Sequence, residues 1–393
     1  MKKILIFGFL LYFIVTALLL GYDAMTALIE RYSHFHIGRW PQVQSWKAAV
    51  RKICERWAVR TPTLRLKNDC RYLLLDRIRG TYGKAMVQSW QKAGCILGLQ
   101  DDGSTAVTAD CKDRLIDDAG NWRITVDKVD YAMLAYALLR REEKPDSIRP
   151  AMGHMIRCIE DNLCPDGMVS YSAGHNAKRR YVDTLGFVCP FLGLYARIYN
   201  EPRYAHLALE QVRLFRKRGL MQSLPVHCFH AESGLPLGIY GWGRGLGWYT
   251  LGMIDLYPEL PDGVEKQLLG AWIREVADAC LPYERQDGGF SAILPAGNVY
   301  DSSATAMLGY FYARCGHNFG CEEYTRIARD CRSRLIRVTK INGVVDECQG
   351  DTIDIGIFSQ RYAPMPFAQG ITLRLSAVLD ERKEVRDAAK KQD

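Results

Sequence analysis

The stretch GWGRGLGWY, Gly241 to Tyr249, sets two tryptophans around one arginine among four glycines. Flat apolar rings beside a fixed cationic fork suit a sugar ring that carries a carboxylate, so Trp242, Arg244 and Trp248 are candidates for binding an acidic sugar. The glycines occupy alternate positions and match neither G-x-G-x-x-G nor G-x-x-x-x-G-K-[ST], which argues against a nucleotide phosphate. The plainer reading of the same residues is a glycine-rich lead-in to a buried helix, where the missing Cβ atoms let backbones approach. Asp127 and Asp183 each stand at the start of an apolar helical run, a position where aspartate caps a helix well. His227, in HCFH, could serve a substrate or simply hydrogen-bond its own loop. Neither HCFH nor HFH (His34 to His36) is joined by a third ligand at metal spacing, so neither a metal nor another cofactor is expected.

What positions these residues is a repeat. Five segments share a polar or small start followed by a helix apolar on nearly every side: VDKVDYAMLAYALL from Val126, VDTLGFVCPFLGLYARIY from Val182, RGLGWYTLGMIDLY from Arg244, SSATAMLGYFYARC from Ser302 and QGITLRLSAVL from Gln369. Their starts lie 56, 62, 58 and 67 residues apart, enough for two helices and their loops. Helices apolar all round must be covered on all sides, and the amphipathic runs between them, such as PRYAHLALEQVRLFRKR after Glu201, can do the covering. An inner ring of buried helices inside an outer amphipathic ring follows, with SWQKAGCILGLQ from Ser89 contributing to a sixth pair. Strand-like alternation is scarce, so the chain reads as all-α. The starts of the inner helices converge at one mouth of this toroid, carrying Asp127, Asp183, Arg244 and Ser302 with them.

Composition limits the partners. With 48% hydrophobic and 24% charged residues over 393 positions, the chain is globular and can bury a large core. Its net charge of +8 is scattered among acidic neighbours, which does not indicate nucleic acid but permits an anionic substrate or a phospholipid surface. After Lys2 and Lys3, residues Ile4 to Tyr22 form nineteen consecutive uncharged positions, long enough to cross a bilayer as one helix. The expectation is an uncleaved single-pass anchor in the cell membrane with everything after Tyr22 outside the cytoplasm; a signal peptide and a secreted protein are the alternative. The expected divisions are an anchor over 1–23, a juxtamembrane spacer and first helix over 24–64, and a catalytic barrel over 65–393. Thirteen cysteines, an odd number without a C-x-x-C pair, read as small core residues, with room for one or two bridges among them that the sequence does not assign.

From about Trp122 to Leu379 the chain resembles the unsaturated glucuronyl and rhamnogalacturonyl hydrolases, glycoside hydrolase families 88 and 105. The resemblance is carried, in the family's order, by TVD at Asp127, YVDTLGFVCPFL at Asp183, HCFHAESGLPLGIYGWGRGLGW from His227, DSSATAM at Asp301 and QGITLRL near the end. It implies an (α/α)6 barrel and removal of a 4,5-unsaturated uronic acid, left by a lyase, through hydration of its double bond. In that chemistry an acid protonates C4, positive charge builds at C5, water adds there, and the hemiketal opens to expel the aglycone. By position in the motif Asp183 is then the general acid, Asp127 a second carboxylate that helps keep it protonated, and His227 a substrate-side histidine. Arg244 either clamps the substrate carboxylate or fixes Asp183 by an ion pair, and Trp242 and Trp248 supply stacking faces. Two positions depart from the family pattern: Leu246 replaces a common asparagine and His230 a common aspartate. Those departures leave open a non-catalytic polysaccharide-binding or assembly protein, and the barrel alone also hosts epimerases and lyases.

Overall fold

The computed structural model describes residues 2–35, 37–62, 64, 73–80, 89–104, 106–171, 177–297, 299–352 and 354–389. An apolar helix, α1 (Lys2–Ser33), comes first. Outer and inner helices then alternate. α2 (Val43–Val59) leads through the short α3 (Leu73–Ile78) to α4 (Ser89–Asp101), and α5 (Ala106–Leu115) leads to α6 (Tyr131–Leu139). α7 (Arg149–Asp161) precedes α8 (Asp183–Tyr199), and α9 (Pro202–Arg218) precedes α10 (Gly243–Ile254). α11 (Val264–Cys280) with α12 (Ser302–Phe319), and α13 (Glu322–Arg337) with α14 (Pro366–Ala389), complete six pairs. The six even-numbered helices from α4 to α14 pack each on the next, and α14 packs back on α4, closing the ring. This is an all-α (α/α)6 barrel preceded by an apolar N-terminal helix.

The division follows from the sequence pattern. All of α6 after Tyr131 and all of α10 are buried, as helices covered on both sides must be, whereas α13 buries only one stripe containing Tyr324, Ile327, Ala328, Cys331 and Leu335. Ring closure depends on glycine: a Cβ on Gly370 of α14 would overlap the Gly94 carbonyl of α4, and one on Gly98 would overlap the Gly370 carbonyl. At the end away from the inner N-termini, Arg374 is fully buried and donates to Asp255 at 2.7 and 3.1 Å, to Asp101 at 2.7 Å and to the Tyr310 hydroxyl at 2.6 Å. Arg140 pairs with Asp101 at 2.5 Å, so this cluster joins five of the six inner helices or their ends.

Two features differ from the sequence reading. A small antiparallel sheet lies between the helices: β1 (Arg179–Tyr181), β2 (Leu220–Met221), β3 (Leu224–His230) and β4 (Pro236–Tyr240), in the order β1-β3-β2 with β4 also paired to β3. β3 is buried on both faces from Leu224 to Phe229, which erases the alternation that marks a strand in sequence. The cysteines are the second: all twelve described ones carry free thiols and ten are buried, so the bridges entertained from sequence are absent among the described residues. α2, in the stretch expected as spacer and first helix, buries Trp46, Val50, Ile53, Cys54 and Ala58 as the outer partner of α4.

α1 buries no residue of its own, and its most apolar window reaches a mean hydropathy of 2.7. Its end is fastened to the barrel: the Leu74 amide donates to Asp23 at 3.2 Å, His34 pairs with Asp346 at 2.7 Å, and the Gly38 amide donates to the Thr339 carbonyl at 3.0 Å.

Candidate active site

β1 runs directly into α8, and its register with β3 pairs Tyr181 with Cys228. One step on, the Val182 amide donates to the His227 carbonyl at 3.0 Å, which sets the first residue of α8, Asp183, beside His227. Asp183 Oδ2 and His227 Nε2 are 3.7 Å apart, too far for a hydrogen bond. Asp183 Oδ2 and His227 Nδ1 are both buried without a hydrogen-bond partner. Each unsatisfied atom, one on either residue, is a place where a substrate oxygen or a water would be held.

The electrostatics keep both groups neutral. Burial raises the Asp183 pKa to about 7, against the opposing pull of its own amide and of Arg244, and Asp351 raises it further. Burial and the nearby Arg244 push His227 down to about 4. Between those values Asp183 carries a proton and His227 does not.

Arg244 is buried in α10 and donates to the Gly350 carbonyl at 2.5 Å, with a second nitrogen 3.0 Å from the Met365 sulfur. Its Nε has no partner. No hydrogen bond or ion pair joins it to Asp183 among the described residues, so it acts on the acid through its field. Its guanidinium also lies 5.3 Å from the Trp242 ring centroid. Trp242 is 2% exposed; its ring packs 4.6 Å from His227 and 5.4 Å from Phe358, and its indole N–H donates to Gln349 at 3.0 Å. The backbone N–H of Gln349 in turn donates to Asp301, the N-cap of α12. A chain of contacts therefore runs from Asp301 through Gln349 and Trp242 to His227.

The stacking face expected from Trp248 is taken by protein: the ring is 1% exposed and meets Trp90, Phe187 and Phe367 at 5.4, 4.8 and 5.4 Å. The glycines around it serve helix packing. A Cβ on Gly243 would meet the Ser291 carbonyl at 2.6 Å, and one on Gly247 the Met307 sulfur at 2.6 Å. Leu246 is buried among the barrel helices, where an asparagine would need a partner. Asp127 is exposed in the loop before α6, while Asp130, three residues on, is buried as the residue preceding that helix. Burial lifts Asp130 to about 6, and Tyr171 donates to it at 3.3 Å. The carboxylate that raises Asp183 is Asp351, not Asp127.

Residues 76–352 match the family described as Glycosyl Hydrolase Family 88. The chain belongs to that family. No curated protein sequence matches it. Among solved structures, a possible member of the GH105 family from Klebsiella pneumoniae is similar at 17% identity, with a TM-score of 0.70 over 88% of this chain and 95% of that one. A possible GH105 member from Salmonella enterica gives 16% identity and 0.69 over 87% and 96%. An unsaturated glucuronyl hydrolase specific for heparin gives 14% and 0.65 over 87% and 99%. At these identities the likeness extends to the fold.

Within this family 88 chain, the stretch Asp346 to Arg361 escaped the sequence reading although it supplies Gln349, Asp351 and Phe358 to the site. It lacks the apolar periodicity that marked the other segments, and its one signal was position: it precedes the last inner helix, as the other mouth loops precede theirs.

Proposed function

We propose that this family 88 glycosidase removes a 4,5-unsaturated glucuronyl or galacturonyl residue from the non-reducing end of lyase-generated oligosaccharides by hydrating the C4–C5 double bond. The observation that carries the reading is Asp183, a carboxyl held protonated up to about pH 7 with an unpartnered Oδ2 at the mouth of the ring. Asp183 gives its proton to C4, and the ring oxygen's electrons stabilise the positive charge at C5. Water adds to C5 and returns a proton to the Asp183 carboxylate. The resulting hemiketal opens at the bond from C5 to the ring oxygen, giving a ketone at C5 and a hemiacetal at C1; the hemiacetal collapses to the aldehyde and releases the aglycone as an alcohol, so the sum is one water consumed and the acid regenerated. The buried Arg244 steadies the aspartate while it is ionised, and neutral His227 offers Nδ1 to a substrate hydroxyl or the water. Trp242 holds the His227 ring in place. Asp127, on the solvent side of the loop before α6, is assigned to substrate contact. α1 serves as a single-pass membrane anchor, with the barrel outside the cytoplasm and beginning at α2.

Lyase digests of several uronate polymers, incubated with the purified full chain, test this. Loss of the alkene's ultraviolet absorbance in at least one digest, abolished by Asp183→Asn, is the expected result. A folded wild-type protein inert on every unsaturated digest would overturn it.

A further inference from the structure

The exposed large apolar side chains outside α1 are unevenly placed. Among the described residues, eight of the ten beyond Phe35 lie in links running from an outer helix to the next inner one, among them Ile78, Ile124, Leu235, Val299 and Ile357; the outer helices give only Val264 and Leu268 of α11. Those links form the mouth that holds Asp183. Leu235 tops the β3–β4 turn at 62% exposure and Ile357 the loop before α14 at 52%.

α1 leaves the body at the same end. Arg77 of α3 lies 5.8 Å from the ring centroid of Tyr22, and the Leu74 amide meets Asp23, just where the uncharged run stops. The last turns of α1 then lie against the 340–365 segment, where a cavity of about 390 Å³ is walled by Ile29 and Glu30 on one side and Gly350, Asp351 and Met365 on the other. Gly350 and Met365 contact Arg244, and Asp351 acts on Asp183, so the helix is fastened to the segment that completes the site.

Apolar loop tips gathered on the face from which an apolar helix departs fit one partner, the interfacial layer of a phospholipid bilayer, where such side chains bury their surface against acyl chains. We infer that the barrel sits mouth-down on the membrane, with the tips at Leu235 and Ile357 entering the headgroup region beside the anchor and α11 facing away. This rests on the reading of α1 as a membrane span, and the test separates the two. p-Benzoylphenylalanine is placed singly at Ile14, Leu235, Ile357 and Val264 of the full chain, reconstituted into vesicles of phosphatidylcholine and phosphatidylglycerol with a radiolabelled tracer lipid, and irradiated. Labelled lipid adducts at 14, 235 and 357 with none at 264 are expected. An adduct at 14 with 235 and 357 no stronger than 264 overturns the mouth-down orientation while leaving the anchor; no adduct at 14 overturns both. Hydrogen exchange on the unmodified chain gives a second reading: amides around 235 and 357 should exchange several-fold more slowly in vesicles than in detergent, and those around 264 equally in both. Equal exchange at all three overturns the orientation.

Discussion

Asp183 owes its proton to burial, and this has two measurable consequences. Because Asp183 is protonated below about 7 and His227 is neutral above about 4, kcat/KM should hold between those values and fall as pH rises through 7, as the acid ionises. A profile that is flat from pH 5 to 9 would exclude Asp183 as the acid. The second consequence is for stability. The unfolded chain ionises this carboxyl near its ordinary value of about 3.9 while the folded chain keeps the proton, so stability is lost as pH rises from about 4 to 7. Asp183→Asn should therefore lower kcat by about 10²–10⁴-fold yet raise Tm relative to wild type at pH 8, with little difference at pH 4. Melting curves at the two pH values check the sign. Asp183 and His227 were legible because each stands inside a dense motif. Asp351 was not, since a lone aspartate in an irregular loop gives no sign of what it faces. Trp248 misled because a tryptophan for sugar stacking and one for core packing look alike until the surrounding rings are known.

The inner helices could be read from their all-round apolar character, and the spacing of five of them gave the ring; the stretch from Ser89 expected to contribute to a sixth pair is α4. The sheet was invisible because β3 is covered on both faces, yet it is the element that brings His227 to Asp183. Ring closure makes a sharp prediction. Gly370→Ala forces a methyl into the Gly94 carbonyl and should destabilise by roughly 1–3 kcal/mol, as overpacking does. The same change at Gly320, whose surroundings are open, carries only the strain of its left-handed backbone, φ 69°, and should cost less. At the closed end, Arg374→Met takes the paired cation from Asp255 and leaves Asp101 with Arg140 alone, and should cost about 3–5 kcal/mol or prevent folding. Urea unfolding at constant pH measures all three, and an Arg374→Met variant as stable as wild type would mean the cluster is dispensable.

As a molecule, the protein joins an apolar helix to a barrel that carries Asp183 at the end where that helix docks. Alkaline carbonate should leave the full chain in the membrane pellet, and deletion of residues 2–22 should release it to the supernatant; release of the full chain would contradict the anchor. Attack on the C4–C5 alkene leaves a mark that no other glycosidase chemistry leaves, and it is read from an unsaturated disaccharide turned over in deuterated water, quenched early and analysed by NMR for label at C4, beside its saturated counterpart. Deuterium at C4 of the released uronate and no reaction of the saturated compound are expected. Cleavage of both compounds at similar rates with C4 unlabelled would contradict attack on the alkene, because Asp183 would then be serving an ordinary attack at the anomeric carbon.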